Sequence, residues 1–472
     1  MKKYLMCFIL YVLIFLCGFT FAYADLYNRA PDVLPGTLPE MRTPSYWIAK
    51  MKNPDEVILT VDEIQRMNEE YQKKVREPDP FKNEPEGRIA RLSYFWTGLV
   101  LYEPDLESIR PEAVADTVRK RINNCISQLR KREWGNILAV KYSDSEIGSF
   151  ESEMALDRVK KNISVLYGIA VRTTNLRNVP SLTPDKIGLT ENGKTRWDQW
   201  GIGIVKIGMP VKVLHTSRSG EYVFVLCEIG YGWVRSEDIA LADKGTIDKF
   251  VNAGDFVVCT GDRVPFYSDE SCTYASGFFR MGDRLPLENK NNSCQVKTPV
   301  RKMNGSFSTE TTWLAPDADV HVGWLPYTRR NVVVTAFKLL DNPYDWSGAW
   351  LGRQHETTYR DIFSCFGFNL PYHGGLFTFF GKNKEVLQPA AGKEEQYRVI
   401  LQHEPFITLQ SCGGHAQLLL GEYNGLPIVF DQNGYGYEGD DGIFYEIRRC
   451  CIGDVRTPSY FLTRNVTFLE LK

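Results

Sequence analysis

The sequence predicts a multidomain α+β protein with a helical N-terminal part, two small β-barrels and a last domain that combines helices with an antiparallel sheet. Three observations lead to this prediction. The chain has 472 residues, enough for three or four domains at roughly 100–200 residues each. Its apolar residues change near Tyr167 from a helical period to the alternating period of strands. Helical periodicity returns beyond about residue 335, and further strands follow it.

The composition shows that the chain is not strongly basic. Lysine and arginine number 56 against 58 acidic residues, which gives a formal net charge of −2. Binding to a polyanion needs a basic surface, so no nucleic-acid partner is expected. Aromatic residues make up 13% of the chain, including 10 tryptophans. Such residues suit well-packed cores and also carbohydrate or peptide clefts.

The first 24 residues have the pattern of a secretory signal peptide. Two lysines precede an apolar run over 4–21, and Ala-Tyr-Ala at 22–24 matches a cleavage site. A retained anchor helix and a lipoprotein modified at Cys17 are the alternatives, although Phe15 and Leu16 stand where the lipoprotein would need small residues. No later stretch approaches the ~18 apolar residues that span a bilayer. The mature protein is therefore expected to be exported without a membrane span, to the periplasm, the cell envelope or the medium.

Residues 25–165 are predicted to form an N-terminal arm and a helical domain. The arm, to about residue 54, is rich in proline and is expected to wrap over other domains. Thr60 and Glu63 form a capping box before a helix. A second helix is expected to begin at Pro111, with one apolar stripe and a basic opposite face. That face is interpreted as solvated, with an acidic polymer or membrane surface as the alternative.

Two β-barrels are predicted over 166–245 and 246–335. A turn at Ser219-Gly220 separates two strands of the first, and Gly-Trp pairs recur at 232–233 and 323–324. Segments 167–186 and 197–215 resemble the first bacterial Src-homology-3-like (SH3-like) module of envelope peptidases, and segment 31–47 resembles the N-terminal part of the same subgroup. The resemblance covers nearly the whole mature chain.

The last domain, predicted over 336–472, has the parts of a hydrolase site. A helix beginning near His355 stops at Gly367, which is a natural helix end. His415 and Asp431 fall on two neighbouring strands joined by a hairpin at Asn424-Gly425. A helix start, a histidine on a strand and a polar residue on the next strand are the three parts of a papain-like centre.

These motifs resemble the NlpC-type cell-wall endopeptidases, which cut between γ-D-glutamate and a diamino acid in peptidoglycan stem peptides. That family has Tyr-x-Trp-Gly-Gly, then Asp-Cys-Ser at the helix start, Gly twelve residues later, and Leu-Pro-Arg. The corresponding residues here are Tyr344, Trp346, Ser347, Gly348, Gln354, His355, Glu356, Gly367, Leu370, Pro371, Tyr372, Gly414, His415 and Asp431. The spacing is kept, but His355 stands at the position of the catalytic cysteine.

The resemblance implies a role for each of these residues. His415 is the expected base, Asp431 orients its ring, and His355 replaces the nucleophile. Substrate contacts are expected from Tyr344, Trp346, Gln354 and Glu356, with Glu356 supplying a negative charge for the free ammonium of the peptide's first alanine. A helix N-terminus favours a thiolate but disfavours a charged imidazole, so His355 is expected to be neutral and a feeble nucleophile toward an amide.

Other residues offer alternatives to the missing cysteine. Cys412 lies three positions before His415, which in a regular strand places the side chains on opposite faces unless Gly413-Gly414 form a bulge. Cys365 is expected in the core. The residues His355, Glu356, His415 and Asp431 are also a possible zinc set, although no metal or cofactor is expected. One disulfide among Cys259, Cys272 and Cys294 is compatible with export.

The function predicted from the sequence is binding of cell-wall stem peptides without cutting them. One alternative is an active γ-D-glutamyl-diamino-acid peptidase that uses Cys412, a metal or atypical histidine chemistry. Another alternative is a structural scaffold for an envelope protein partner. The sequence leaves open which peptide is bound, the disulfide pairing and the oligomeric state.

Overall fold

The computed structural model describes residues 28–76, 98–99, 106–138, 140–181, 188–190, 197–289, 292–372, 377, 380, 386–412, 415–439, 441–458 and 460–472. The predicted signal peptide lies outside these residues, as do Gly413 and Gly414. None of the described helices has the length and apolar character needed to cross a membrane.

The N-terminal arm lies against the last domain. The amide of Ala30 donates to the carbonyl of Glu446 at 2.9 Å, and Arg449 donates to the carbonyl of Pro31 at 2.7 Å. Trp47 is buried in the core of the last domain. The prediction that the arm wraps over other parts of the chain is therefore confirmed. This stretch contains helix α1 (Pro44–Ile48) and strand β1 (Val57–Leu59).

Helix α2 (Val61–Arg76) begins with the predicted capping box. The amide of Glu63 donates to Oγ1 of Thr60 at 3.3 Å, and the amide of Thr60 donates to the Glu63 carboxylate at 2.8 Å. Ile64 and Tyr71 on this helix are buried in the core of the last domain. The helix therefore packs with a domain almost 300 residues further along the chain, as the contact between Asn68 and the carbonyl of Gly367 also shows.

Helix α3 (Pro111–Lys131) begins at the predicted proline, and its apolar stripe is buried. Strand β2 (Gly98–Leu99) precedes it, and strand β3 (Trp134–Gly135) and helix α4 (Asp144–Glu153) follow. Ser143 and Glu146 form a capping box at the start of α4. The core of these helices is continuous with Trp200 and Trp233 of the first barrel, so the two parts pack as one body.

The first barrel is an antiparallel sheet in the order β11-β4-β8-β9-β10-β5-β7, with β2 added beside β10. Val225 and Val234 lie in its own core. The chain reverses at Ser219-Gly220 between β8 and β9, as predicted, and the amide of Gly220 donates to the carbonyl of Ser217 at 3.1 Å. The strands are β4 (Leu166–Ala170), β5 (Thr174–Arg177), β7 (Gly201–Val205), β8 (Pro210–Thr216), β9 (Tyr222–Leu226), β10 (Gly230–Arg235) and β11 (Ile239–Leu241), and β6 (Leu189–Thr190) pairs separately with β3.

Helix α5 (Lys244–Val251) leads into the second barrel, whose strand order is β14-β13-β17-β16-β15-β12-β18. Phe279 and Leu285 are fully buried in its core. The strands are β12 (Phe256–Cys259), β13 (Arg263–Tyr267), β14 (Ala275–Arg280), β15 (Arg284–Asn289), β16 (Asn292–Arg301), β17 (Phe307–Trp313) and β18 (Val320–Val322).

The sequence prediction that strands continue to about residue 335 is wrong. After the short strand β19 (Tyr327–Thr328), the chain forms helix α6 (Arg329–Phe337). Three consecutive valines at 332–334 favour a strand by local propensity. The side chain of Thr328 instead caps a helix by accepting from the amide of Asn331. Val332 and Val333 are then fully buried in the core of the last domain, and this packing outweighs the propensity.

The last domain is built on an antiparallel sheet in the order β20-β27-β21-β22-β23-β26. Asn424 and Gly425 both have positive φ, as the predicted two-residue hairpin requires. The elements are α7 (His355–Ser364), β20 (Val386–Leu387), α8 (Lys393–Ile400), β21 (Thr408–Cys412), β22 (His415–Tyr423), β23 (Leu426–Asn433), β24 (Gly436–Glu438), β25 (Phe444–Glu446), β26 (Arg449–Asp454) and β27 (Val466–Glu470).

A buried ion network joins the two barrels to α7. The ammonium of Lys206, just after β7, lies 2.7 Å from one carboxylate oxygen of Asp361. Arg353 donates to the other oxygen at 2.8 Å, and Arg280 of the second barrel lies at 3.4 Å. Burial alone would raise the pKa of Asp361, but the three cations outweigh it and hold the pKa well below its usual range. The network fixes the orientation of the helix that starts at the candidate site.

Candidate active site

His355 is the first residue of α7 and is buried, with 4% of its surface exposed. Its Nδ1 lies 2.6 Å from the carbonyl oxygen of Gln432, and its Nε2 lies 3.2 Å from the hydroxyl of Tyr344. A carbonyl only accepts, so Nδ1 carries the proton and Nε2 accepts from Tyr344. Both ring nitrogens are therefore engaged within the protein.

The charge state of His355 follows from its surroundings. Burial, and then the adjacent imidazole of His415, lower the pKa of His355 well below its usual value. The sequence predicts a neutral His355 because of the positive end of the helix. The pKa of His355 is lowered in the structure as well, with removal from water as the largest cause. A neutral imidazole at this position neither attracts an anion nor donates a proton to a leaving group.

His415 is the first residue of β22, and it is oriented by Asp431 on β23. Its Nε2 donates to Oδ1 of Asp431 at 2.9 Å, and its Nδ1 lies 3.3 Å from the hydroxyl of Tyr460. Asp431 pairs with Gln417, two residues after His415, so the two side chains project from the same face of the sheet. The structure thus brings the predicted base and its predicted orienting residue together.

The carboxylate of Asp431 is fully buried and has several donors. Its second oxygen accepts from Asn433 at 3.0 Å and from Gln417 at 3.4 Å. Gln417 in turn donates to the carbonyl of Thr457 at 2.5 Å. A buried carboxylate with this many donors is held in one orientation, which in turn fixes the ring of His415.

His355, His415 and Asp431 form a compact cluster. The two imidazole rings lie 3.9 Å apart between centroids, at an interplanar angle of 51°. One potential metal-ligand atom from each of the three residues lies within 4.8 Å of the other two. Helix start, strand histidine and polar residue on the neighbouring strand therefore meet in the arrangement that the sequence predicted.

An aromatic rim covers this cluster. We use the name for Trp197, Trp346, Tyr435 and Tyr460. The ring of Tyr435 is parallel to that of His355, and their centroids lie 6.2 Å apart. The centroid of the Tyr435 ring lies 5.3 Å from that of Tyr460. Trp197, from the first barrel, lies 6.2 Å from Trp346 and 6.4 Å from Tyr435. Tyr435 is 40% exposed, so the rim faces solvent while the histidines beneath it do not.

The predicted substrate-contact residues surround the start of α7. The hydroxyl of Tyr344 donates a hydrogen bond to Nε2 of His355, and the side-chain oxygen of Gln354 accepts from the amide of Ser347 at 3.0 Å. Glu356 is buried, with 4% exposed. Burial, and next the charge of Glu356, raise the pKa of Tyr344 well above its usual value. Glu356 therefore lies close to Tyr344. Trp346 belongs to the aromatic rim.

Cys412 does not lie on the same strand as His415, contrary to the sequence expectation. It ends β21, His415 begins β22, and the two are direct partners in this antiparallel pair of strands, so their side chains share one face. Cys412 is nevertheless fully buried among Val429, Phe461 and other apolar residues, and burial raises the pKa of its thiol to about 11. Cys365 is in the core, as predicted.

The disulfide expectation fails at Cys259. Its thiol is free and fully buried, and it donates to the carbonyl of Gly261 at 3.3 Å. The side chain of Cys294 lies outside the described residues. Cys259 is part of the second barrel's core, where a small apolar side chain packs well without a bridge.

Several site residues were not predicted from the sequence. Trp197 lies about 150 residues before the last domain, and only the contact between the first barrel and that domain brings it to Tyr344, 5.0 Å away. Tyr435 and Tyr460 follow strands and have no spacing that relates them to His355. The guanidinium carbon of Arg448 lies 4.8 Å from the centroid of the Trp197 ring, and this cation–π contact helps to hold the ring in place.

Comparison with known proteins supports the fold. A family model described as SH3 domain (SH3b1 type) matches residues 190–235, within the first barrel. No curated protein matches the chain.

Solved structures of NlpC/P60 proteins are similar. An NlpC/P60 endopeptidase from Photobacterium damselae subsp. piscicida is 16% identical with a TM-score of 0.70, and the match covers 94% of this chain and 99% of that one. An NlpC/P60 family protein from Bacillus cereus ATCC 10987 is 17% identical over 64% of this chain and 99% of its own, with a TM-score of 0.45. The predicted α+β multidomain architecture is confirmed, and the chain has the fold of an NlpC/P60 endopeptidase with a bacterial SH3b domain.

Proposed function

We propose that this protein binds peptidoglycan stem peptides in the cleft between its first barrel and its last domain, without cutting them. The observation that carries the proposal is the state of His355. It stands at the helix start where the resemblance in sequence places the nucleophile of the endopeptidases, and it is buried, with a lowered pKa and both nitrogens hydrogen-bonded.

The chemistry of this arrangement does not favour hydrolysis by the route of cysteine peptidases. Such a route needs a thiolate beside the base, so that the base protonates the leaving amine. Here His415, oriented by Asp431, occupies the position of the base, but the side chain beside it is the imidazole of His355 and not a thiol. Loss of a nucleophile typically lowers the rate by several orders of magnitude. The retained parts are those that shape the cleft.

The aromatic rim is the proposed binding surface. Tryptophan and tyrosine side chains contribute large contact areas at little cost in side-chain entropy. Trp197 comes from the first barrel, and Trp346 and Tyr435 come from the last domain, so a ligand on the rim contacts both parts. Glu356, in the first turn of α7, is proposed to hold the ammonium of the peptide's first alanine, because a buried carboxylate binds a cation strongly.

The location and domain limits are part of the same proposal. Residues 1–24 direct export and are removed, and the mature protein works in the periplasm or cell envelope. The helical part, the first barrel and the second barrel correspond to 25–165, 166–245 and 246–328. The peptidase-like domain corresponds to 329–472 in place of 336–472, because α6 packs in the core of that domain. Edman sequencing of the exported protein tests the cleavage, with Asp25 as the expected first residue.

Calorimetric titration of the purified mature protein with L-alanyl-γ-D-glutamyl-diaminopimelate tests the binding. We expect saturable binding that is lost when the alanine is N-acetylated and weakened by Glu356→Gln. Glu394→Gln, on the first turn of α8, is the matched control and is expected to bind normally. The absence of binding by the folded wild type would contradict the proposal.

A further inference from the structure

The three side chains at the centre of the site also have the composition of a metal centre. His355, His415 and Asp431 come from a helix start and two strands, and all three are buried. Two imidazoles and one carboxylate are a common ligand set for zinc and for other divalent transition ions. Buried polar clusters of this kind are costly unless each member has a partner.

We infer that His355, His415 and Asp431 form a binding site for a divalent transition ion, with Zn²⁺ as the ion whose chemistry fits the set best. Imidazole nitrogen suits zinc, whereas magnesium and calcium prefer sites made of oxygen. Three protein ligands leave one position of a tetrahedral ion open. This inference is independent of peptide binding, because it rests on the cluster and not on the rim.

The hydrogen bonds at the cluster define the ligand atoms. A metal-bound histidine usually donates its other ring N–H to a carbonyl or a carboxylate, which fixes the ring. His355 fits this pattern, because its Nδ1–H donates to the carbonyl of Gln432 and its Nε2, which accepts from Tyr344, is the ligand atom. Nε2 of His415 and Oδ1 of Asp431 lie 2.9 Å apart, so an ion bound by both replaces the proton of their hydrogen bond, and Nδ1 of His415 then donates to Tyr460.

The distances require a modest rearrangement. Ligand atoms around one tetrahedral zinc lie roughly 3.4 Å apart, given zinc–nitrogen and zinc–oxygen distances of about 2.0–2.1 Å. The three ligand atoms here lie within 4.8 Å of one another, so the cluster has to contract by up to about 1.4 Å. Binding at Nε2 of His355 also replaces the hydrogen bond from Tyr344.

Cys412 is not part of the ligand set, although it is the direct strand partner of His415.

Zinc content and cobalt spectra of the purified mature protein test the inference. After treatment with a chelator, wild-type protein is dialysed against ZnCl₂ and its metal is measured by mass spectrometry. We expect one zinc per chain, absent in His355→Ala and His415→Ala. Asp431→Asn is expected to bind about 10–100-fold more weakly, because either loss of a ligand or loss of ring orientation has at least this effect. Circular dichroism verifies that each variant is folded.

A second measurement uses a substitution that keeps a ligand. His355→Cys is expected to retain the metal, since a thiolate is a good zinc and cobalt ligand. Its Co²⁺ form should show a thiolate charge-transfer band that the wild-type Co²⁺ form lacks. This band would identify residue 355 as a ligand even if the alanine variants fail to fold.

Matched controls separate this site from other metal-binding side chains. His321→Gln removes a histidine of the second barrel, and Cys272→Ser removes a partly exposed cysteine. Both are expected to keep one zinc per chain. The inference would be overturned by wild-type protein without zinc, by zinc that persists in both folded alanine variants, or by zinc lost in either control. Absence of the charge-transfer band in His355→Cys would also overturn it.

Discussion

The imidazole rings of His355 and His415 lie 3.9 Å apart between centroids, one at the start of α7 and the other at the start of β22. In the structurally similar endopeptidase fold, the first of these positions is where the resemblance in sequence places the catalytic cysteine. Burial and the neighbouring ring lower the pKa of His355, so His415 has a neutral imidazole beside it at the position where that resemblance implies a thiolate. This relationship underlies both the proposed loss of hydrolysis and the proposed metal site.

The stability of the protein is expected to depend on pH through His355. Its pKa is lowered in the folded state, so the unfolded chain binds a proton that the folded chain does not. This contribution to stability is complete above the unfolded pKa, near 6.5, and declines as the pH falls below it. His355→Gln should make the decline shallower, by up to about 1.4 kcal/mol per pH unit. Urea unfolding between pH 8 and 5 measures both slopes, and identical slopes would contradict the prediction.

Asp361 is predicted to be the most sensitive residue of the ion network. Asp361→Asn leaves Lys206, Arg280 and Arg353 without the carboxylate they share, in a buried setting. Removing one partner of a buried ion pair typically costs about 3–5 kcal/mol. Asp157→Asn is the control, because its pair with Arg218 is exposed and should contribute about 1 kcal/mol or less. Equal unfolding midpoints for the two variants would contradict the account.

Trp197 is predicted to contribute to peptide binding through the aromatic rim. Trp197→Ala removes contacts with Tyr344, Trp346 and Tyr435 and should weaken binding of the stem peptide roughly thirtyfold, or about 2 kcal/mol. Trp313→Phe, in the second barrel, is the control and should leave the dissociation constant unchanged. Fluorescence titration measures both, and normal affinity of a folded Trp197→Ala variant would remove the rim from the proposed site.

Cys412 is predicted to have no part in catalysis. With a thiol pKa of about 11, roughly one thiol in three thousand is ionised at pH 7.5. Cys412→Ser should therefore leave any hydrolysis of the stem peptide unchanged and affect only stability, since the side chain is fully buried. Mass spectrometry of peptide digests compares the two proteins. An activity present in the wild type and absent in folded Cys412→Ser protein would contradict this prediction.

Much of the fold was predictable from local patterns. The capping box of Thr60 and Glu63, the helix beginning at Pro111 and the hairpin at Asn424-Gly425 all follow from short-range backbone hydrogen bonding, and all are present. Local patterns failed at 329–337. There, three β-branched valines favoured a strand, but burial against the last domain and a threonine cap produced a helix.

The centre of the site was also predictable, but its surroundings were not. His355, His415 and Asp431 could be named because their spacing matches a known frame and each lies at a helix start or on a strand. Trp197, Tyr435 and Tyr460 depend on how separate parts of the chain pack together, which no local period records. The relation between Cys412 and His415 differs from the prediction, because the two residues belong to two antiparallel strands and not to one.

The most direct test of the account is restoration of the cysteine. Wild-type protein, His355→Cys and the double variant His355→Cys/His415→Ala are incubated with L-alanyl-γ-D-glutamyl-diaminopimelate in the presence of a metal chelator, which keeps the new thiol free of zinc, and the products are identified by mass spectrometry. The account predicts intact peptide with the wild type and the double variant. It predicts release of alanyl-glutamate by His355→Cys, because a thiol at the helix start then lies beside His415. Release of the dipeptide by the wild type, lost in His415→Ala, would contradict the claim that this protein binds without cutting.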